Sequence, residues 1–259
     1  MTPPVDIGPG QLLLCLLFVA VAGATSLAMR LRLERDLLWG TVRAFAQLFL
    51  VGYVLELVFA IERPLLVVGL FVFMVFWAAH AVRGRVRDPQ IAVFLPTFVS
   101  MVVSYLAVTL VVTAVVVQVE PWWKPQYFIP IGGMIAGNSM NAISICLERL
   151  LTAFRERREQ IEQALSLGAT YTEATAAMLA DAVRAGMIPS INALMTVGLV
   201  SLPGMMTGQV LAGVSPVSAV KYQIVVMLML VASTAIGAVV VAFAVRRRCF
   251  TRHHQLILR

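Results

Sequence analysis

The chain has 259 residues, of which 60% are hydrophobic and only 13% charged, and its formal net charge is +7. Soluble domains carry about 25% charged residues, so the composition excludes an ordinary water-soluble protein. The positive charge does not indicate a nucleic-acid partner, because the basic residues flank apolar segments and no soluble basic domain is present. The length therefore divides best into membrane spans of about 20 apolar residues each.

Seven apolar segments follow one another along the chain, each long enough to cross about 30 Å of hydrocarbon at 1.5 Å per residue. They predict an all-α, polytopic integral membrane protein with seven transmembrane helices, organised as a single transmembrane domain over residues 1–259. The segments are 11–29, 37–60, 64–82, 91–117, 127–150, 188–212 and 218–245.

The basic residues predict the orientation of these spans. Sixteen of them lie in alternate loops, at the end of the fifth segment or at the C-terminus, whereas the other loops hold three and Arg43 lies within a segment. Because cytosolic loops carry the excess of arginine and lysine, we expect the N-terminus outside and the C-terminus in the cytosol. Seven spans satisfy this alternation, whereas six or eight would break it.

The second segment carries Arg43 about four residues from its start, with Gln47 one helical turn deeper on the same face. Arg43 is close enough to the cytosolic surface to extend its charge into water. A place on a substrate pathway or a contact between helices explains the same pair equally well.

The fifth segment contains MIAGNSMNAIS, residues 134–144, which is unusually polar for a membrane span. Asn138 and Asn141 share a helix face that Glu148 continues toward the cytosol, and Ser139 lies between the two asparagines. Unpaired amides are costly in hydrocarbon, so this face must meet protein, water or substrate. Gly133 and Gly137 form a GxxxG pattern, and taken alone these features favour helix–helix packing over a pathway.

Residues 151–187 are the only long connection, and they predict a cytosolic helix–turn–helix finger. Its first helix continues the fifth span and can end at Gly168. Thr170 followed by Glu173 is a capping box that starts a second helix, expected from about Tyr171 to Arg184. Gly186 and Pro189 then mark the entry to the sixth span.

The sixth segment contains SLPGMMTG, residues 201–208. Pro203 should break the helix, and broken helices often mark transport sites. Gly204 and Gly208 are four residues apart and can pack closely against another helix. Met205 and Met206 fit either a pathway or an adaptable packing role beside the kink.

Enzyme motifs are missing from the sequence. The two lysines follow Trp123 and Val220, so no Gly-Lys pair of a phosphate-binding P-loop is present. The three histidines do not form an HExxH motif, and no nucleophile is paired with a base. We therefore expect a protein that is not an enzyme itself.

Three stretches, IPIGGMIAGNSMNAISICLERL, EQALSLGAT and VGLVSLPGMMTGQVLAGVSPVSAVKYQ, resemble the permease subunits of Fet-type iron-export ABC transporters. The same family includes plant aluminium-tolerance membrane proteins. The second segment, VRAFAQLFLVGYVLE, fits the family pattern as well. The resemblance covers most of the chain and is weak before residue 37.

The resemblance implies a permease that exports metal ions, iron first, from the cytosol across the bacterial inner membrane. It implies a homodimer working with a separate ABC-type ATPase subunit, so that ATP and magnesium are cofactors of that partner and none belongs to this chain. Glu162, Ala164 and Gly168 match the E-x-A-x-x-x-G spacing of the coupling loop in many ABC importer permeases. Importers place a proline about one helical length after the glycine, whereas here the next is Pro189.

Because the finger continues the fifth span, we expect ATPase engagement to move it as a rigid lever on Asn138 and Asn141. The position of the polar stretch in this span makes Asn138, Ser139 and Asn141 the expected lining of the export path. Glu148, Arg43, Gln47, Met205 and Met206 are further candidates. The alternatives are a secondary transporter or channel for a small solute, and a membrane assembly factor in which the amides only join helices.

Overall fold

Long apolar stretches with few glycines and prolines favour helices, since a helix satisfies its own backbone groups within a bilayer. The computed structural model of the chain describes residues 8–86, 91–251 and 255–258, and the secondary structure assigned there is helical, which agrees with the all-α prediction. Arg87, Arg252 and Arg259, which counted toward the predicted orientation, lie outside the described residues. The helices are α1 (Pro9–Ala28), α2 (Glu34–Ile61), α3 (Pro64–Arg85), α4 (Phe94–Val111, continued by the π-helical stretch Val112–Val116), α5 (Pro125–Glu156), α6 (Arg158–Ser166), α7 (Tyr171–Ala174), α8 (Ala176–Thr196), α9 (Gly204–Leu211) and α10 (Pro216–Arg248).

Within the described ranges, five helices are long and apolar enough to cross a membrane: α1, α2, α3, α4 with its π-helical end, and α10. They coincide with the first four predicted segments and the last one. The fifth segment is a single helix of 32 residues, but its polar residues keep it out of that group. The sixth segment is divided into shorter helices. The structure therefore supports a multi-pass membrane protein, and the number seven stays a prediction.

The first of two compact units comprises Met1–Glu62 with Leu211–Gly213 and contains α1 and α2. A short connection makes the two helices antiparallel neighbours. Ser26 fixes this connection, because its Oγ donates to Glu34 Oε1 at 2.9 Å and accepts the backbone N–H of Leu33 at 3.0 Å. One buried hydroxyl thus ties the end of α1 to the start of α2.

The second unit comprises Arg63–Val210 and Val214–Arg259, and α5 is its central helix. This helix packs against α3, α4, α8 and α10. Lipid tails are as apolar as leucine, so such helices associate through close packing rather than through the hydrophobic effect. At Gly132 the ring of Phe71 lies where a side chain would be, and an added Cβ would come within 2.6 Å of it.

The sixth segment departs from the predicted single span. The helix ends at Thr196, residues 197–203 are not helical, and α9 begins at Gly204. The expected break is present, but it precedes Pro203, which stands just before α9. The Pro203 carbonyl accepts the backbone N–H of Thr207 at 3.0 Å, so the proline starts a helix instead of kinking one.

The connection between α5 and α8 also contains more helix interruptions than the predicted helix–turn–helix. A single non-helical residue, Arg157, separates α5 from α6, and Thr175 separates the one-turn α7 from α8. The prediction that Gly186 and Pro189 punctuate the chain was wrong, because α8 runs through both. Gly186 allows α8 to lie against α5, where an added Cβ would come within 2.6 Å of the Ala142 carbonyl oxygen, and this packing holds the helix past Pro189.

Candidate functional site

Helix α5 has one packed face and one exposed polar face. Asn138, Asn141 and Glu148 are exposed, as is Gly137 beside them, whereas the residues between them are mostly buried. Their spacing of three, four and seven residues places them along one side of the helix, as the sequence predicted. We call Gly137, Asn138, Asn141 and Glu148 the amide face of α5.

The two asparagines of the amide face have different partners. The Asn138 side-chain amide donates to the Met134 carbonyl oxygen at 2.9 Å, which is a bond within the helix. The Asn141 Oδ1 accepts a hydrogen bond of 2.7 Å from Nη1 of Arg85, at the end of α3. In the sequence, Arg85 served only to predict the orientation of the spans. Its position in the basic last turn of α3 was the one feature of the sequence that could have pointed to a role at this site.

Ser139 is separated from its two neighbours. It is completely buried, with its Oγ 3.5 Å from the Oγ of Ser233 on α10. A hydroxyl on this side of α5 cannot be reached from the amide face. The sequence grouped Ser139 with Asn138 and Asn141 on one path, and the structure places it in the packing between α5 and α10 instead.

The glycines that bring helices together are not the ones that the GxxxG patterns indicated. Gly137, Gly204 and Gly208 have open space where a side chain would stand, and Gly133 faces only the flexible end of Met74. Backbone or ring atoms crowd Gly132, Gly186 and Gly237 instead. Among the described residues, these three are the glycines that lie against backbone or ring atoms of another helix, and nothing packs against Gly137, Gly204 or Gly208.

The remaining pathway candidates belong to helices other than α5. Arg43 and Gln47 are exposed on α2, in the first compact unit. Met205 and Met206 lie in α9, and Met206 lines a cavity of about 360 Å³ together with Pro203 and Gln223. The buried Oε1 of Gln223 has no hydrogen-bond partner among the described residues. Those residues also contain no cluster of three or more His, Cys, Asp and Glu side chains suited to a metal ion.

The predicted coupling residues surround the turn between α6 and α7. Gly168 has φ of +93°, a conformation that favours glycine. The N–H of Ala169 bonds the carbonyl of Ala164 and the N–H of Gly168 bonds that of Leu165, which is a Schellman ending of α6. Glu162 is exposed and pairs with Arg158 at 2.6 Å.

The capping box that follows is present as predicted. The backbone N–H of Thr170 donates to Glu173 Oε2 at 2.8 Å, and the N–H of Glu173 donates to the Thr170 hydroxyl at 3.3 Å. The Thr170 hydroxyl also donates to Glu173 Oε2 at 2.8 Å. The bond from the Thr170 backbone, and after it this bond from the hydroxyl, lower the pKa of Glu173 below its ordinary value. The carboxylate is fully exposed, so this local bond orders the turn and adds little to global stability.

Comparison with known proteins identifies relatives along nearly the whole chain. Residues 9–250 match the uncharacterised protein family UPF0014. The chain is 38% identical over 249 residues to the probable iron export permease protein FetB of Escherichia coli (strain K12), covering 96% of this chain and 94% of the relative. It is 39% identical over 228 residues to the UPF0014 membrane protein slr1647 of Synechocystis, covering 88% of each.

The relatives also include a plant protein. The UPF0014 membrane protein STAR2 of Oryza sativa subsp. japonica is 34% identical over 239 residues, covering 92% of this chain and 82% of the relative. No solved structure matches the chain. The protein ALUMINUM SENSITIVE 3 of Arabidopsis thaliana is 31% identical over 242 residues, covering 93% of this chain and 87% of the relative. These relatives confirm the resemblance to the Fet-type permeases and the plant aluminium-related proteins. The chain therefore belongs to the UPF0014 family of membrane proteins.

Proposed function

We propose that this chain is the permease subunit of an ABC-type exporter that moves metal ions, iron first, out of the bacterial cytosol. It acts as a homodimer in the inner membrane and depends on a separate subunit that binds magnesium and hydrolyses ATP. The name of the Escherichia coli relative supports iron as the first candidate cargo. The amide face of α5 is the observation that carries the proposal.

Exposed amides in the middle of a membrane helix need a polar neighbour. Hydrocarbon offers no hydrogen bonds, and an unsatisfied amide there costs about 1–3 kcal/mol. Asn138 uses one bond within its own helix and Asn141 one bond to Arg85, so each amide keeps further donors or acceptors for other partners. Water in a pathway, a passing cargo and a second copy of α5 all meet this need. A homodimer whose two amide faces point toward its symmetry axis brings together a second copy of α5, the water of a pathway and the passing cargo.

The coupling region supports dependence on a partner for energy. The chain has no P-loop, whereas α5 leads with one interruption into α6 and the turn at Gly168. A partner that pushes on this turn moves a helix whose other end carries the amide face.

Cargo is tested by measuring metals in a bacterial strain whose own copy of this chain is deleted. We expect iron to accumulate, and the wild-type chain to restore the normal level. A variant with Asn138→Leu and Asn141→Leu should fail to do so while remaining in the membrane. Aluminium, zinc and copper are measured in the same cells. An unchanged content of all four metals would contradict metal export.

The ATPase partner is tested by purifying the tagged chain from native membranes. We expect an ATP-hydrolysing subunit to co-purify, and to be lost when residues 155–184 are deleted. Gly168→Val should keep the subunit but uncouple hydrolysis from export, because valine is strained at a φ of +93°. Export that continues without any ATPase would instead favour a secondary transporter.

A further inference from the structure

A cavity of about 360 Å³ lies where the sixth segment is broken. Its walls come from the end of α8, the non-helical residues 197–203, the start of α9 and the first half of α10. Gly198 has φ of +82°, and its N–H donates to the Ser201 carbonyl at 2.9 Å, so the non-helical stretch is an ordered turn. The volume lies within the range of about 300–1,000 Å³ that is typical of ligand pockets.

The walls of this cavity are apolar except at one position. Leucine, valine, isoleucine, proline, glycine and methionine line it, and Gln223 of α10 is the one lining residue with an amide, hydroxyl or charged side chain. Gln223 is only 5% exposed, and its Oε1 has no hydrogen-bond partner among the described residues. A buried amide without a partner is costly, because it has lost its bonds to water and gained none in return. The cavity is therefore where a missing partner of Gln223 can lie.

The side chains at the edge of the cavity are apolar and exposed. Leu202, Ile224 and Leu228 are 59%, 53% and 58% exposed. The last two belong to α10, which is long and apolar enough to cross a membrane. In a bilayer such side chains meet hydrocarbon, so a molecule that enters between them must be soluble in lipid.

Neither water nor a plain hydrocarbon chain matches this cavity. A water molecule held inside a protein makes about three hydrogen bonds, and these walls offer one polar side chain. A hydrocarbon chain fits the apolar walls but leaves the amide of Gln223 unpaired. A hydroxyl group is both a donor and an acceptor, so it can pair with either end of an amide. An alkyl body attached to it would contact the adaptable thioethers of Met206 and Met227.

We propose that this cavity binds a small lipid-soluble alcohol, with its hydroxyl bonded to Gln223 and its alkyl body between Met206 and Met227. The inference is independent of the proposed function, because it uses neither a partner subunit nor a cargo. The bound molecule would contact the turn, α9 and α10 together, so its presence would stiffen the break in the sixth segment.

The site is tested by photolabelling of the chain in phospholipid vesicles. The probes are a diazirine derivative of octanol and the same derivative of octane, which lacks only the hydroxyl. Labelled residues are located by mass spectrometry. We expect the residues that line the cavity to be labelled about threefold more, or above, by the alcohol than by the alkane, and we expect excess octanol to remove the difference.

Two glutamine variants separate recognition of the hydroxyl from a general change in the protein. Gln223→Leu keeps a side chain of similar size and removes the amide, so the preference for the alcohol should disappear while labelling by the alkane remains. Gln209→Leu on α9 is the matched control, since Gln209 also has a buried Oε1 without a partner among the described residues but does not line the cavity. It should keep the wild-type preference. Circular dichroism of the vesicles checks that each variant is helical.

Three results would overturn the proposal. Equal labelling of the wild-type cavity by both probes would mean that hydrocarbon chains fill it without recognition of a hydroxyl. Absence of label from its lining residues with either probe would mean that the cavity is closed in the membrane. A preference for the alcohol that persists in Gln223→Leu, or that is lost equally in Gln209→Leu, would mean that Gln223 does not bind the hydroxyl.

Discussion

Helices α5 and α10 have nearly the same length, 32 and 33 residues, and they pack against each other. Their exposed faces differ in chemistry. That of α10 carries Leu228, Ile236 and Phe243, which hydrocarbon solvates well. That of α5 carries Asn138 and Asn141, which hydrocarbon does not solvate.

The difference identifies the side of the pair that needs a polar neighbour rather than lipid. Both helices have well-packed inner faces, so packing alone does not explain why only one retains amides outside. The same reasoning identifies Ser139 and Ser233 as part of the shared interface, since both are buried between the two helices. The amide face is therefore where substitutions should affect transport, and the inner faces are where they should affect stability.

The largest effect should come from making the exposed face of α5 resemble that of α10. In Asn138→Leu with Asn141→Leu, each lost amide forfeits about 1 kcal/mol or more of interaction with water or cargo. We expect export to fall about tenfold or more. Metal efflux from loaded cells is the measurement.

The matched control places new leucines on the apolar face, with Ile236→Leu and Val240→Leu in α10. These changes keep hydrocarbon against hydrocarbon, so export and membrane level should match the wild type. Equal efflux from the double leucine variant of α5 and from this control would mean that the amides do not contribute to transport.

The next largest effect should follow substitutions of glycines on the packed inner faces of α8 and α10. Gly186→Ala places a Cβ within 2.6 Å of the Ala142 carbonyl oxygen on α5, and backbone moves less easily than a side chain. Gly237→Ala on α10 meets the ring of Tyr105 at 2.9 Å. We expect destabilisation of about 3 kcal/mol for the first and about 1–2 kcal/mol for the second, measured by unfolding in detergent.

Gly69→Ala in α3 is the control for both, because nothing lies within 4 Å of its Cβ position. Alanine is the better helix former by about 1 kcal/mol, so this variant should be as stable as the wild type or more so. If Gly186→Ala unfolded at the same temperature as Gly69→Ala, the contact of α8 with α5 would be looser than it is in the structure.

A smaller effect should follow Arg85→Ala, which removes the cation bonded to Asn141. Hydrogen bonds to charged groups contribute about 1.5–3 kcal/mol when buried, and this exposed one contributes less. We expect export to fall about threefold, with Arg83→Ala, from the same basic helix end, as the control. A salt titration of efflux adds a second readout, since the Arg85 contribution should weaken as ionic strength rises.

The smallest effect should follow Ser139→Ala. The hydroxyl of Ser233 keeps its own bond of 3.0 Å to the Leu230 carbonyl oxygen, so the substitution does not leave Ser233 without a partner. We expect a change in stability below about 1 kcal/mol and unchanged efflux. A loss of efflux as large as that of the asparagine variant would place Ser139 on the pathway after all and remove the distinction between the two faces.

The sequence alone predicted correctly those features of the structure that depend on interactions between residues close together in the chain. Helical periodicity placed Asn138 and Asn141 on one face, and the capping box at Thr170 and the glycine ending at Gly168 formed as expected. Each of these features depends on residues within one or two helical turns. The helical class and the multi-pass arrangement follow from apolar length in the same way.

Other features depend on contacts that no local pattern records. Arg85 and Asn141 are 56 residues apart, and their hydrogen bond requires the end of α3 to lie beside the middle of α5. The helix continues through Pro189 next to the close approach of Gly186 to Ala142, again a contact between distant parts of the chain. The GxxxG patterns predicted close packing from spacing alone, yet Gly137 and Gly208 face open space in this chain.

The single residue between α5 and α6 has a mechanical consequence. Around Arg157 the hydrogen bonds continue, since its N–H bonds the Ala153 carbonyl at 3.0 Å and its carbonyl accepts the N–H of Ile161 at 3.1 Å. Only its torsion angles, φ of −108° and ψ of 26°, depart from those of a helix. Such a joint resists compression and stretching along the axis but bends more easily than the helix on either side. Force applied to α6 would thus be transmitted along the axis to α5, while sideways bending would take place at Arg157.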